Sequence, residues 1–278
     1  MPELPEVETV KKTLQRLIVG KTIADVAVRW PNIIKHPDDV QAFRTLLIGE
    51  TIQDIARRGK FLRFILDRFV LVSHLRMEGK YRWTAEDEPL DKHTHVIFTF
   101  TDGSQLRYRD VRKFGTMHVY EKGEELCHPP LGHLGPEPLS DDFDAGVLQA
   151  AFQKTTRIVK AVLLDQTVVC GLGNIYVDEA LFRAGIHPQA PANALTVAQM
   201  ATLASKIRET LSEAVDMGGS SVRSYLNGLG EMGMFQQRLY VYGRTGEPCK
   251  RCGAPIEKMR AAGRGTHYCP RCQKKATA

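Results

Sequence analysis

A chain of 278 residues, 43% hydrophobic and 25% charged, has room for two cored domains and the composition of an ordinary globular protein. No apolar run reaches the roughly 18 residues that a membrane span needs, and the opening lacks the basic and apolar regions of a secretory signal, so a cytoplasmic protein is expected. The formal net charge of +6 points toward a polyanionic partner.

The chain opens Met1-Pro2-Glu3-Leu4-Pro5-Glu6-Val7-Glu8. Removal of Met1, expected before a small second residue, leaves Pro2 with a free secondary amine. Such an amine forms a Schiff base with a carbonyl-like carbon, and an α-amino group titrates at roughly 7.7–8.0, close to working pH. Pro5 with Glu6 and Glu8 reads as a helix start, and the positive end of that helix disfavours an ammonium beside it. Glu3 adjoins the amine as a candidate general acid. A frayed terminus with ordinary capping acids is the plain alternative.

Val7, Val10, Leu14 and Leu17 follow helical spacing up to Gly20. Short β-branched or aromatic segments follow at 23–30, 51–56, 61–66, 69–74, 95–100, 105–109 and 116–120. Thr101-Asp102-Gly103-Ser104 is a hairpin turn, and a short helix is expected at 38–46. This pattern predicts a β-sandwich. Arg57-Arg58-Gly59-Lys60 reads as a basic turn between two strands. Met77 and Phe114, taken as residues alone, read as core.

Proline and glycine without periodicity mark residues 128–140 as a linker. Helical character follows. Met200, Leu203, Ile207, Leu211 and Val215 share one face of a helix that Thr196 and Gln199 start as a capping box. Gly171-Leu172-Gly173-Asn174 precedes an amphipathic segment to Ala184, an arrangement that offers backbone amides to an anion. Lys160, on the preceding helical stretch, adds a charge but is not assigned to a site. Gly218, Gly219, Gly228, Gly230 and Gly233 mark either a mobile loop or a plain connector.

Cys249, Cys252, Cys269 and Cys272 form C-x2-C-x16-C-x2-C, the spacing of a closed four-thiolate zinc site. One structural zinc ion is expected, with no position left for a catalytic water. Cys127 and Cys170 stand apart as incidental or buried thiols. From Cys249 onward there are eight Lys or Arg against one acid, Glu257, which suits a phosphate backbone.

MPELPEVETV at one end and GRGTHYCPRCQ at the other, with SHLRMEGK, RDVRKFG and GLGNIYVDEALF between them in order, resemble the bacterial formamidopyrimidine-DNA glycosylases over nearly the whole chain. The resemblance implies an α+β multidomain protein: an N-terminal β-sandwich with flanking helices, then a helical domain with a helix–two-turn–helix and a β-hairpin zinc finger. The boundaries expected are 1–127, a linker at 128–140, 141–238, and 239–278. It implies excision of oxidised purines (8-oxoguanine, formamidopyrimidines) and strand cleavage by β- and δ-elimination. Its partner would be double-stranded DNA carrying oxidised bases or abasic sites. A bacterial, nucleoid-associated monomer is expected.

By the same resemblance Pro2 is the nucleophile, Glu3 the principal proton donor, and Glu6 lines the site. Lys60 contacts phosphate and helps β-elimination, and Arg264 serves the second elimination. An arginine does not readily surrender a proton, so phosphate clamping is at least part of that role. His74, His93 and Asn174 contact DNA. Met77, Arg112 and Phe114 fill the gap left by an extruded nucleotide, Arg112 reading the orphaned base. The rival within the family is an endonuclease VIII type for oxidised pyrimidines, which the Pro2-Glu3-Leu4-Pro5 and Arg112-Lys113-Phe114-Gly115 runs disfavour. A non-catalytic zinc-finger DNA binder is the rival of another class, disfavoured by the intact Pro2-Glu3 pair. A zinc nucleobase deaminase needs an open metal position, which four cysteines close.

Overall fold

The computed structural model describes residues 1–85, 88–220 and 233–274. The expectations placed on Gly228, Gly230 and Lys275 lie outside the described residues. The chain divides into two compact units, Met1–His133 with Met217–Met234, and Leu134–Asp216 with Phe235–Ala278.

The first unit opens with α1 (Leu4–Ile18), which buries Val7, Val10, Leu14 and Ile18 on one face. It begins one residue earlier than Pro5 because Glu3 is the N-cap. The strands are β1 (Ile23–Val28), β2 (Ile34–His36), β3 (Asp54–Arg58), β4 (Phe61–Ile65), β5 (Phe69–His74), β6 (Lys80–Thr84), β7 (Thr94–Phe100), β8 (Gln105–Arg109) and β9 (Thr116–Glu121). A short helix, α2 (Val40–Leu47), is capped by the Asp39 carboxylate, which accepts from the Ala42 amide. The strands form a four-stranded sheet, β1-β7-β8-β6, and a five-stranded sheet, β2-β9-β5-β4-β3. All pairs are antiparallel except β2 with β9. Alternating residues such as Ile55, Leu62, Phe64, Phe98, Leu106 and Val119 join the α1 face in one core. Burial of each such side chain stabilises the unit by roughly 1.5–3 kcal/mol.

Two strands have no counterpart among the sequence segments. β2 is three residues long, too short for a periodic signal. β6 is an edge strand in which Lys80 and Arg82 alternate with Tyr81 and Trp83, a period-2 signal that the segments above omit, and its charges discourage edge-to-edge pairing. The basic turn is also redrawn. Arg57 and Arg58 belong to β3, and Arg58 pairs with Phe61, so only Gly59 and Lys60 make the turn. Gly59 has φ +56°, which suits a two-residue hairpin.

The second unit contains α3 (Ala145–Phe152), α4 (Val159–Leu163), α5 (Asn174–Ala184) and α6 (Val197–Asp216), then the hairpin of β10 (Glu257–Ala261) and β11 (Arg264–Tyr268). The capping box of α6 is present: Gln199 N–H donates to Thr196 Oγ1 at 3.2 Å, and Thr196 N–H donates to Gln199 Oε1 at 2.9 Å. Its buried face ends at Ala214 rather than Val215. α5 is not amphipathic: Tyr176 to Arg183 are all buried, because α6 and β11 both pack against it. Cys170 is buried and Cys127 exposed.

Candidate functional site

Pro2 stands immediately before the first turn of α1, and the two carboxylates that follow it are held by that turn. Glu3 and Glu6 form a reciprocal capping box, in which the Glu3 carboxylate accepts from the Glu6 amide and Glu6 Oε2 accepts from the Glu3 amide at 2.8 Å. Both are buried, at 3% and 2% exposure. The other oxygen, Glu6 Oε1, accepts from the Ser220 amide at 2.8 Å. Gly219 has φ +78°, and a Cβ there would lie 2.6 Å from Glu6 Oε1, so close approach demands glycine. The stems of the glycine-rich segment meet beside it, with the Met234 amide donating to the Met217 carbonyl at 3.0 Å. Glu6 thus ties the start of α1 to the root of that segment, whose residues 221–232 are outside the described set.

Lys60 lies in the β3–β4 turn, beside α1, which packs on both strands. Arg57 Nε donates to Glu8 Oε2 at 2.8 Å across that contact. Lys60 is 5% exposed, not the solvated hairpin lysine that a basic turn would imply. His74 ends β5, opposite Phe61, with the two rings edge-on at 4.4 Å. Burial first, then the charges of Arg76 and Lys60, hold its imidazole at about 3, so it is neutral at working pH. His74 Nδ1 accepts from the Arg76 amide at 2.8 Å, which leaves the proton on Nε2.

Met77 and Phe114 are 38% and 50% exposed, not core residues. Arg112 is also exposed, and its guanidinium lies 4.8 Å from the centre of the Phe114 ring. His93 is half-buried, and its carbonyl accepts from the Asp110 amide at 3.0 Å. Asp110 therefore links the His93 turn to the Arg112–Phe114 loop, a role that an acid inside the basic run RDVRKFG signals only weakly.

In the second unit Asn174 is the first residue of α5, with Gly173 as N-cap. Its Nδ2 donates to the Gly265 carbonyl at 2.9 Å, beside Arg264. Arg264 is exposed at the tip of the hairpin, just after Ala262 (φ +51°) and Gly263 (φ +70°). Below it lies a group missed in the sequence. Lys160, fully buried, donates to Asp178 Oδ1 at 2.6 Å and to Thr266 Oγ1 at 2.8 Å. Asp178 Oδ2 accepts from the His267 amide at 2.9 Å. The neighbouring Glu179 accepts from the amides of Tyr240, Val241 and Tyr242 at 2.8–2.9 Å. Burial pushes its carboxyl up, against those three donors and Arg183. Two consecutive acids of α5 thus hold β11 and the 240–242 segment.

The four cysteine Sγ atoms lie within 4.8 Å of one another. Cys249 to Cys272 is 3.9 Å and Cys252 to Cys269 is 3.5 Å. A tetrahedral zinc with Zn–S near 2.3 Å requires S–S edges of about 3.8 Å, so the donor set fits the ion. The Arg251 and Cys272 amides donate to Cys249 and Cys269 sulfur, both at 3.4 Å. Phe182, Val241 and Ile256 pack around Cys249 and Cys269.

The geometry has close relatives. Residues 1–117 match the model of the formamidopyrimidine-DNA glycosylase N-terminal domain, 134–225 that of the H2TH domain, and 246–275 that of the zinc finger found in FPG and IleRS. The formamidopyrimidine-DNA glycosylase of Bacillus licheniformis is 64% identical over 99% of this chain and 100% of its own. That of Bacillus subtilis is 60% identical with the same coverage. The Lactococcus lactis Fpg in complex with a DNA containing N7-benzyl-Fapy-dG superposes with a TM-score of 0.92 at 46% identity, covering 99% of this chain and 100% of that one. Its complex with an abasic-site DNA also gives 0.92, covering 98% and 100%. With domain models along most of its length and relatives this similar end to end, the chain belongs to the formamidopyrimidine-DNA glycosylase family.

Proposed function

We propose that the chain removes oxidised purines from double-stranded DNA and then cleaves the strand, with the Pro2 amine as nucleophile. The observation that carries this reading is the reciprocal Glu3–Glu6 box directly after Pro2, with Glu6 Oε1 accepting from the Ser220 amide. Freed of Met1, the Pro2 nitrogen attacks C1′ of the damaged nucleotide while the bond from C1′ to the base breaks. Glu3 supplies the proton that this departure needs. The substituted Pro2 nitrogen then loses its proton, and its lone pair forms a second bond to C1′ as the C1′–O4′ bond breaks; O4′ takes up a proton, and a cationic iminium, the Schiff base of a secondary amine, joins Pro2 to C1′. The iminium acidifies the C2′ proton; its removal breaks the 3′ C–O bond, and a second elimination breaks the 5′ C–O bond. Lys60 sits beside α1 as a charge for the phosphate flanking this centre. Glu6 holds the first turn of α1 and the root of the glycine-rich segment in one register.

Base departure requires an extruded nucleotide. Met77, Arg112 and Phe114 fill the space left in the stack, with His74 and His93 on the adjoining phosphates. Asn174 and Arg264, joined through Gly265, form a phosphate grip on the second unit. Zinc, bound by the four cysteines, supplies the fold of that hairpin and no bond-breaking chemistry. Among the described residues no helix is long and apolar enough to cross a membrane. The place of action is the bacterial chromosome.

Borohydride reduction during turnover of an 8-oxoguanine duplex tests the nucleophile. The adduct is expected on Pro2 by peptide mapping, and protein retaining Met1 should neither cut nor trap. An adduct on Lys60 or any other lysine would sink the assignment.

A further inference from the structure

Residues meant to enter a DNA stack are exposed and apolar, and something must hold them away from their own core. Two buried side chains sit beneath them. Asp110 is fully buried, and its Oδ1 accepts from the Arg112 amide at 3.0 Å. Its Oδ2 accepts from the Phe114 and Gly115 amides, both at 2.9 Å. One carboxylate therefore binds three of the four amides from Arg112 to Gly115. Tyr108, also fully buried, donates to Asp110 Oδ2 at 3.4 Å.

The same phenol reaches the other loop. A Cβ on Gly115 would lie 1.7 Å from the Tyr108 hydroxyl, and a Cβ on Gly79 would lie 2.2 Å from it. Both glycines exist where the phenol needs backbone without a side chain. Gly79 closes the turn that carries Met77, its amide donating to the Leu75 carbonyl at 2.9 Å. The Met77 turn and the Arg112–Phe114 loop thus rest on one hydroxyl.

Backbone strain falls at the same two places. Among the described residues only Arg76, Lys113 and Ala262 are non-glycine residues with positive φ. Arg76 (φ +53°) directly precedes Met77, and Lys113 (φ +58°) directly precedes Phe114. Such backbone persists only where its surroundings over-determine it. Asp110 supplies that around Lys113, whose Nζ also lies 3.9 Å from the centre of the Trp30 ring. At Arg76 the backbone amide is held by His74 Nδ1 at 2.8 Å.

We infer that Tyr108 and Asp110 are positioning residues that hold Met77, Arg112 and Phe114 as a preformed wedge before DNA arrives. The inference rests on the wedge reading above. It adds that the ordering of the wedge is met by the fold and not charged against binding, so loosening the platform should cost what removing the wedge costs.

The test is a mutant cycle in single-turnover kinetics, on matched duplexes carrying 8-oxoguanine or an abasic site. Phe114→Ala should slow lesion excision about ten- to a hundredfold, and abasic cleavage far less, because an abasic sugar needs less extrusion. Asp110→Asn keeps one acceptor but turns an NH2 toward amides that also donate. It should show the same selectivity, and the Asp110→Asn/Phe114→Ala double variant should be no slower than the slower single variant. Tyr108→Phe removes only the hydroxyl and runs through the same cycle. If Asp110→Asn does not fold, that second cycle decides. Losses that multiply in the double variant, equal losses on the two substrates, or wild-type excision by Tyr108→Phe would overturn the positioning role. A Phe114→Ala variant that loses both activities equally would instead overturn the wedge reading itself, before any platform variant is considered.

Discussion

Replacing Asp178 with alanine should undock the zinc hairpin without touching a cysteine. In the wild-type protein both Lys160 and Asp178 are fully buried, 2.6 Å apart, and Asp178 also takes the His267 amide. Removing one partner of a buried ion pair costs about 3–5 kcal/mol, because the other charge stays buried without its counter-charge. The Thr266 hydroxyl remains for Lys160, but it carries no negative charge. An orphaned amide adds about 1–3 kcal/mol. A domain's whole stability is about 5–15 kcal/mol, so Asp178→Ala should bring the second unit near its unfolding limit. The apolar pair Lys160→Met with Asp178→Leu strands no charge and should recover most of the loss. The single variant has a further signature. An uncompensated buried lysine has its folded pKa pulled below the unfolded value of about 10.4, so the unfolded chain binds more protons and stability rises with pH up to that value. Urea unfolding by circular dichroism at pH 7 and pH 10, with zinc release followed by a chromophoric chelator, measures each term. An Asp178→Ala variant within about 1 kcal/mol of wild type, or a double variant no better than the single, would refute the reasoning, since a fully buried ion pair should be costly to break from one side.

Three further outcomes are expected. Cys252→Ala should lose zinc and weaken binding to damaged and undamaged duplexes together, while the β-sandwich unit keeps its circular dichroism; calorimetry and gel shifts check both. His74 is held at about 3, below its ordinary 6.5, and His118 at about 4 by burial and then the charges of His36 and Lys35. Between those values the unfolded chain binds more protons, so stability is fully present above about pH 6.5 and is lost as pH falls, with a slope of up to about 1.4 kcal/mol per pH unit for His74; His74→Gln should flatten that slope in acid urea titrations. Gly219→Ala adds a left-handed backbone penalty of about 1–2 kcal/mol and pushes on Glu6, so lesion excision should fall at least about tenfold while the melting temperature moves by only a few degrees. Unchanged excision would mean that the Glu6–Ser220 link takes no part in turnover.

Much of this molecule is visible along its chain. Strand segments such as 69–74 and 105–109 coincide with β5 and β8, because alternation and β-branching act within a few residues. The Cys249–Cys272 spacing predicts its metal for a similar reason, since each knuckle is local and the ion supplies the long-range link. The capping box of α6 is equally local. What the chain order hides is which polar groups end up buried together. Lys160 reads as a charge with no assigned site until Thr266, 106 residues on, proves to share its hydrogen bonds with Asp178. Glu6 reads as a capping acid until Ser220, 214 residues away, takes its second oxygen. Met77 and Phe114 have core chemistry and surface positions, and the Asp110 bond that fixes the Phe114 amide is not visible in residue type. Side-chain type and spacing determined most of the strands, the long helices and the zinc ligands, but not β2, which is three residues long. Only tertiary structure decided which charges lose their water and which apolar groups keep it, because desolvation depends on neighbours that chain order does not contain.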